Sequence, residues 1–190
     1  GYINLAGKKL FEKRLDDLFT VELPDDIPGA HDIQGRIGGY WHGNEPCHHI
    51  AYLYNYLGKP WKCQKWIREI VARFYGNEPG SLSGNDDCGQ MSAWYVLAAA
   101  GIHPICPGDG RYEITSPVFD RVEFRLDPAY AAGGSFVIEA RDNSPENIYI
   151  QSATLNGKKY DKCYLTHDDL AAGGTLVLQM GAKPSDWGKD

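Results

Sequence analysis

Two short stretches of this sequence hold more oxygen and nitrogen donors than the start of a helix requires. One is Trp41-His42-Gly43-Asn44-Glu45-Pro46-Cys47-His48-His49; the other is Gly84-Asn85-Asp86-Asp87-Cys88-Gly89-Gln90. Each precedes an apolar run, so capping accounts for part of the chemistry: Asn44 or Glu45 suits the first helix start, and one aspartate suits the second. Capping does not account for two adjacent carboxylates beside Asn85, because like charges this close repel unless a cation or solvent compensates them. Glu45, Asp86 and Asp87 therefore read as hard oxygen donors, the set that calcium prefers. The carboxylates must outweigh the helix dipoles, whose positive ends repel a cation. Taken alone, the first stretch also reads as a zinc site of His42, Glu45 and His49, with a tetrahedral shell near ~2.0 Å rather than calcium distances of about 2.3–2.6 Å. His48 and His49 fit equally well as hydrogen-bonded core histidines.

The elements that must position these residues show in the apolar periodicity. Phe11, Leu15 and Leu18 share one face of a helix expected over 8–19, and a functional loop rich in Pro, Gly, Asp and His is expected over 21–41. A second helix is expected from Pro46, with Ile50, Leu53, Tyr54 and Leu57 on one side and Gly58 and Pro60 ending it. A third, over 61–75, places Ile67, Ile70, Val71 and Phe74 inward and Lys65, Arg68 and Glu69 on an outer surface. The fourth, from Cys88 or Gly89 to Ala100, is apolar nearly all round, which requires burial among other elements; its Trp94 and Tyr95 read as core. Gly101 stops it. Such helices suit a layered array, part of an α/α barrel that three or four helices cannot close.

Beyond Pro107 the period switches to two. Val122, Phe124 and Leu126 alternate with Glu123 and Arg125, while Leu176, Leu178 and Met180 alternate with Val177 and Gln179. Asn156-Gly157 is a strong hairpin signal, and Gly133-Gly134 and Gly173-Gly174 mark further turns. The fold class is therefore α+β: a helical part over 1–106, then β-sandwich-like strands over 107–190.

Composition narrows the function. A net charge of −6 over 190 residues argues against nucleic-acid and anionic-membrane partners, which need clustered Lys and Arg. No stretch approaches the roughly 18 consecutive apolar residues of a membrane helix, and the N-terminus lacks the layout of a signal peptide. Five scattered cysteines without a C-x-x-C pair indicate neither a zinc ribbon nor a disulfide framework. Cys47 and Cys88, beside the two polar stretches, carry no assigned chemistry.

Four segments, "GGYWHGNEPCHHIAYLYNYLGKPWKCQ", "GNDDCGQMSAWYVLAAAGIHPICPGDGRYEITSPVFD", "NIYIQSATLNGK" and "GGTLVLQMGAKPSDWG", lie in an order that covers nearly the whole chain. Together they resemble glycoside hydrolase family 92, the calcium-dependent inverting exo-α-mannosidases. The resemblance implies a two-part enzyme, an N-terminal β-sandwich packed on an (α/α)6 barrel with the active site between them. This chain matches only the last part, and the motif carrying the general-acid Glu precedes it. Carried over by position, the resemblance makes Asp87 the general base, assisted by Asp86. It puts Asn85 where some members carry a second catalytic Asp, and His42 and Trp41 beside the sugar. Asn44, Glu45 and Asp87 fall to the calcium ion. Gly43 stands where some α-1,2-specific members carry an acidic residue, which leaves the linkage open. The expected partners are a mannose-containing glycan and the upstream part of the same enzyme, possibly a separate chain after a nick. The expected location is extracellular or periplasmic. A non-catalytic carbohydrate-binding or structural fragment is the competing reading.

Overall fold

A computed structural model of the chain describes residues 1–24, 34–106 and 108–189. The helical part opens with α1 (Tyr2–Ala6) and α2 (Lys8–Thr20), which buries Leu15 and Phe19. Phe19 stacks on Trp66 with ring centroids 4.6 Å apart, and Lys62 reaches Glu12 at 2.8 Å and Asp16 at 2.7 Å. Apolar and ionic contacts thus pin α2 to α3 (Pro60–Phe74). Residues 25–33 of the loop expected over 21–41 lie outside the described residues. Its end is a hairpin, β1 (Arg36–Ile37) against β2 (Tyr40–Trp41).

The helix expected from Pro46 is instead two 3-10 turns, Glu45–Cys47 and Ile50–Leu57. Its burial repeats every three residues, as 3-10 geometry demands. Ala51, Tyr54 and Leu57 form one buried row and Tyr52 and Asn55 another, while Ile50 and Leu53 are half-buried and Tyr56 is exposed. Four bulky positions spaced at 3.6 had pointed to an α-helix; packing two rows of side chains inward favours the tighter winding.

Nor is the expected outer face of α3 wholly open: Lys65 is exposed, but Arg68 is half-buried. Gln64 Oε1 accepts from Ile150 N at 2.9 Å, and the Arg68 guanidinium bonds Asn143 Oδ1 at 3.2 Å, Ser144 O at 2.8 Å and the Pro117 carbonyl. The charged face of α3 is where the β-rich part docks. The last long helix, α4 (Gln90–Ala100), buries Met91, Trp94 and Ala98 to Ala100. Its remaining apolar face is open, with Val96 60% exposed. No helix among the described residues is long and apolar enough to cross a membrane.

Strand pairing begins at once after α4. A three-stranded antiparallel sheet orders β3 (Ile102–His103), β4 (Arg111–Ile114) and β9 (Tyr164–Thr166). A five-stranded sheet runs β5 (Arg121–Arg125), β6 (Ser135–Arg141), β10 (Gly174–Gly181), β7 (Tyr149–Leu155), β8 (Lys158–Lys159), with only β6 and β10 parallel. A short helix, α5 (His167–Ala171), carries a capping box between Thr166 and Asp169. Leu176, Leu178 and Met180 of β10 share one hydrophobic core with Ile114 and Leu165 of the smaller sheet. Asn156 (φ 51°) and Gly157 (φ 75°) make the left-handed turn between β7 and β8. The chain is therefore mixed helix and sheet.

Candidate active site

Backbone contact brings the two polar stretches together. His42 N bonds Gly35 O at 2.8 Å, Gly43 N bonds Gln34 O at 2.9 Å, and the loop before α4 closes on the same strand end through Gly84 N and Gln34 Oε1 at 3.4 Å. A Cβ on Gly43 would lie 2.8 Å from Gln34 O and 3.1 Å from Ser83 O, so no larger residue fits between the loops. This is a packing requirement, quite apart from any role in substrate linkage.

In the first stretch most donors are spent inside the protein. His42 is fully buried, with Nδ1 at 2.9 Å from the Tyr40 hydroxyl and Nε2 at 2.6 Å from the Tyr75 hydroxyl. Burial, with a smaller contribution from His48, pushes its pKa down to about 3, so the ring is neutral. Its edge-on contact with Trp94, at 4.4 Å, ties it to α4. His48 is 3% exposed and stacks on His42 at 4.7 Å. Burial lowers its pKa too. Neither histidine offers a solvent-facing nitrogen, which removes His42 from the zinc reading. His49 and Pro46 are exposed; Asn44 is half-buried and donates from Nδ2 to Cys47 Sγ at 3.7 Å. Trp41 is half-buried under the Arg36 guanidinium, 5.6 Å from the ring centre.

The second stretch faces solvent. Asp86 Oδ1 accepts from Ser92 N and Ser92 Oγ, both at 2.9 Å, which makes it the side chain that ties down the first turn of α4. Asp87 (φ 46°) and Cys88 (φ 58°) are both left-handed, a conformation non-glycine residues seldom adopt. The Asp87 carboxyl lies close enough to that of Glu45 for the two to interact. Interaction with Glu45 raises the pKa of Asp87, and nearby Asp86 charge adds to the effect. The same interaction lowers that of Glu45. Two carboxyls from separate loops that lie this close and face solvent are a donor set that fits a divalent ion. Among the described residues no group of three or more His, Cys, Asp and Glu side chains could hold a metal, so two carboxylates are what this chain brings to one point. Beside them opens a recess of about 380 Å³, lined by Glu45, His48, Gln90, Trp94, Leu97 and His103 among others.

The glycosyl hydrolase family 92 catalytic domain matches the chain over residues 1–182. The chain belongs to that family. Among solved structures, it is 59% identical to a family GH92 alpha-mannosidase from Bacteroides thetaiotaomicron in complex with mannoimidazole. The match has a TM-score of 0.92 and covers 99% of this chain and 24% of that one. A family GH92 inverting mannosidase from the same organism is 36% identical, with a TM-score of 0.81, over 98% of this chain and 26% of its own. A curated relative from Arthroderma benhamiae, described as an uncharacterized secreted glycosidase, is 35% identical over 97% of this chain and 22% of its own length. The family 92 chain thus spans about a quarter of the length of these relatives.

In this family 92 chain the residues singled out from sequence fall into three groups. Glu45 and Asp87 meet at the solvent-facing rim, with Asn85 exposed in the same loop and Asn44 next to Glu45. Asp86 sits beside them but is engaged by Ser92. His42 and Trp41 lie behind, His42 with both nitrogens bonded to tyrosines. Tyr40 and Tyr75 were not foreseen, because nothing local distinguishes a tyrosine that will bond a buried histidine. Gln90 stood in the second stretch without a role, and the structure gives it a partner, His48.

Proposed function

We propose that this chain is the C-terminal portion of a calcium-dependent exo-α-mannosidase that cleaves terminal α-mannosidic bonds of mannose-rich glycans with inversion. The observation that carries the reading is the meeting of Glu45 and Asp87, distant in sequence, at a solvent-facing point beside a recess. Membership of a glycosidase family and likeness to a mannosidase solved with mannoimidazole supply the substrate class.

An inverting hydrolase needs one carboxylic acid to protonate the leaving oxygen and one carboxylate to activate water on the opposite face, roughly 6.5–9.5 Å away. Asp87 takes the second role: its left-handed turn presents the carboxylate to solvent, where it accepts the proton of the attacking water. The acid lies on the upstream part of the enzyme. Glu45, Asp87 and Asn44 would hold calcium, an ion that takes hard oxygen ligands. When bound, the ion would supply Lewis-acid polarisation of the sugar's oxygens. Asp86 supports the loop, and Asn85, exposed beside Asp87, meets the sugar.

The same reading makes α2, α3 and α4 the last helices of an (α/α)6 barrel, with the sandwich packed on them. The open apolar face of α4 around Val96 suits neighbouring barrel helices. The upstream part is then the obligatory partner, in the same polypeptide or as a nicked companion chain. An extracellular or periplasmic location agrees with the curated relative's description as secreted. The decisive experiment follows mannose release by the intact enzyme before and after chelation. Activity should vanish with chelator and return with calcium; full activity in excess chelator rejects the metal-dependent site.

A further inference from the structure

Glu45 and Asp87 are each followed, three residues on, by a residue whose backbone N–H bonds back to them. His48 N reaches Glu45 O at 3.0 Å, and Gln90 N reaches Asp87 O at 3.2 Å. The side chains of those two followers bond each other: Gln90 Nε2 lies 3.1 Å from His48 Nδ1. A continuous hydrogen-bonded path therefore runs from one carboxylate residue to the other, behind the point where the carboxyls themselves meet.

The path is braced at its centre. His48 Nε2 lies 3.0 Å from the carbonyl of His42. A carbonyl only accepts, so Nε2 carries the proton and Nδ1 is left to accept the Gln90 amide hydrogen. Trp94 Nε1 donates to His48 O at 3.3 Å, and the Tyr75 hydroxyl joins His42 Nε2 at 2.6 Å to Met91 O at 3.2 Å. These bonds leave the imidazole one orientation. Only the Gln90 link is made by a side chain at the protein surface.

We propose that His48 and Gln90 form a positioning relay that sets the separation of the Glu45 and Asp87 carboxylates, and with it the affinity of their site for a divalent cation. The inference rests on the calcium reading above. Neither side chain touches the ion; each acts through the turn that carries a ligand. Two like charges on separate loops drift apart unless something holds the loops, and residues that orient metal ligands from behind are typically worth about 10- to 100-fold in affinity.

The test titrates calcium chloride calorimetrically into chelator-stripped intact enzyme, as wild type, Gln90→Met, His48→Phe and the double variant. Gln90→Met keeps the length of an exposed side chain and removes its donors. Its Kd for calcium should weaken about 10- to 100-fold, its melting temperature in chelator should stay close to wild type, and its kcat should return at saturating calcium. A purely structural role would lower the melting temperature and leave Kd unmoved. The double variant should be no weaker than the weaker single one, since both cut the same path. If His48→Phe does not fold, Gln90→Met decides alone. A Gln90→Met Kd within about twofold of wild type overturns the relay while leaving the calcium site standing. Wild-type enzyme that takes up no calcium overturns the calcium reading, and the relay with it.

Discussion

The two polar stretches look alike in sequence and do opposite work. In the stretch around His42 two histidines point inward: His42 is fully buried, His48 is 3% exposed, and their nitrogens bond Tyr40, Tyr75, Gln90 and a carbonyl. In the stretch around Asp87 the residues from Asn85 to Cys88 are exposed. There the backbone tolerates two consecutive left-handed non-glycine residues, each costing of order 1–3 kcal/mol. Dense polar residues mark a place where chain segments meet, and burial then separates scaffold from reactive surface. Strain collects on the exposed side, where it aims one carboxylate, while hydrogen bonds collect on the buried side, where they hold the frame.

The contrast breaks most directly at Asp87. Asp87→Asn keeps the shape of the loop and removes the base, so kcat of the intact enzyme should fall by about 100-fold or more, roughly 2.7 kcal/mol of barrier. Turnover near that of wild type would take the reactive role away from the exposed stretch.

The buried stretch should show itself in acid. His42 is held down to about 3 and His103 to about 4 from an ordinary 6.5, each chiefly by burial, and His48 is lowered in the same direction. An unfolded chain protonates these rings below that value and the folded one does not, so the unfolded state binds more protons. Their contribution is complete above the unfolded pKa and is lost as pH falls toward the folded values, at up to about 1.4 kcal/mol per pH unit for each ring. Denaturant unfolding between pH 7 and pH 5 measures this slope. A flat profile would mean that the histidines are hydrated, and the distinction between frame and surface would weaken.

The smallest effect sharpens the comparison within one loop. Asp86 is tied to Ser92 and its neighbour is not, so Asp86→Ala should cost about 1 kcal/mol of stability, the usual value of a helix-start carboxylate, with far less loss of turnover than Asp87→Asn. Equal losses in the two variants would make the aspartates a joint base.

Much of this was readable in advance. The helix at 8–20, the Asn156-Gly157 turn, the inward face of β10 and the stop at Gly101 follow from neighbours along the chain, through periodicity and turn chemistry. Motif order alone placed the chain in its family. The 3-10 winding of Ile50–Leu57 was missed because one apolar run serves two helical periods until its packing partners are known. Arg68 read as surface because a charge on an amphipathic helix usually is; three carbonyl and amide oxygens from beyond residue 116 give it a half-buried home instead.

Residue types and spacing by themselves determined that two donor-rich loops precede helical segments, that an α+β chain results, and that hard oxygen chemistry is available. Which aspartate caps and which is presented, which histidine is structural, and that Gln90 answers His48 were decided only when distant segments packed. The reason is physical: periodicity and capping arise between near neighbours, whereas a hydrogen-bond partner is chosen by whichever atom long-range folding delivers within about 3 Å.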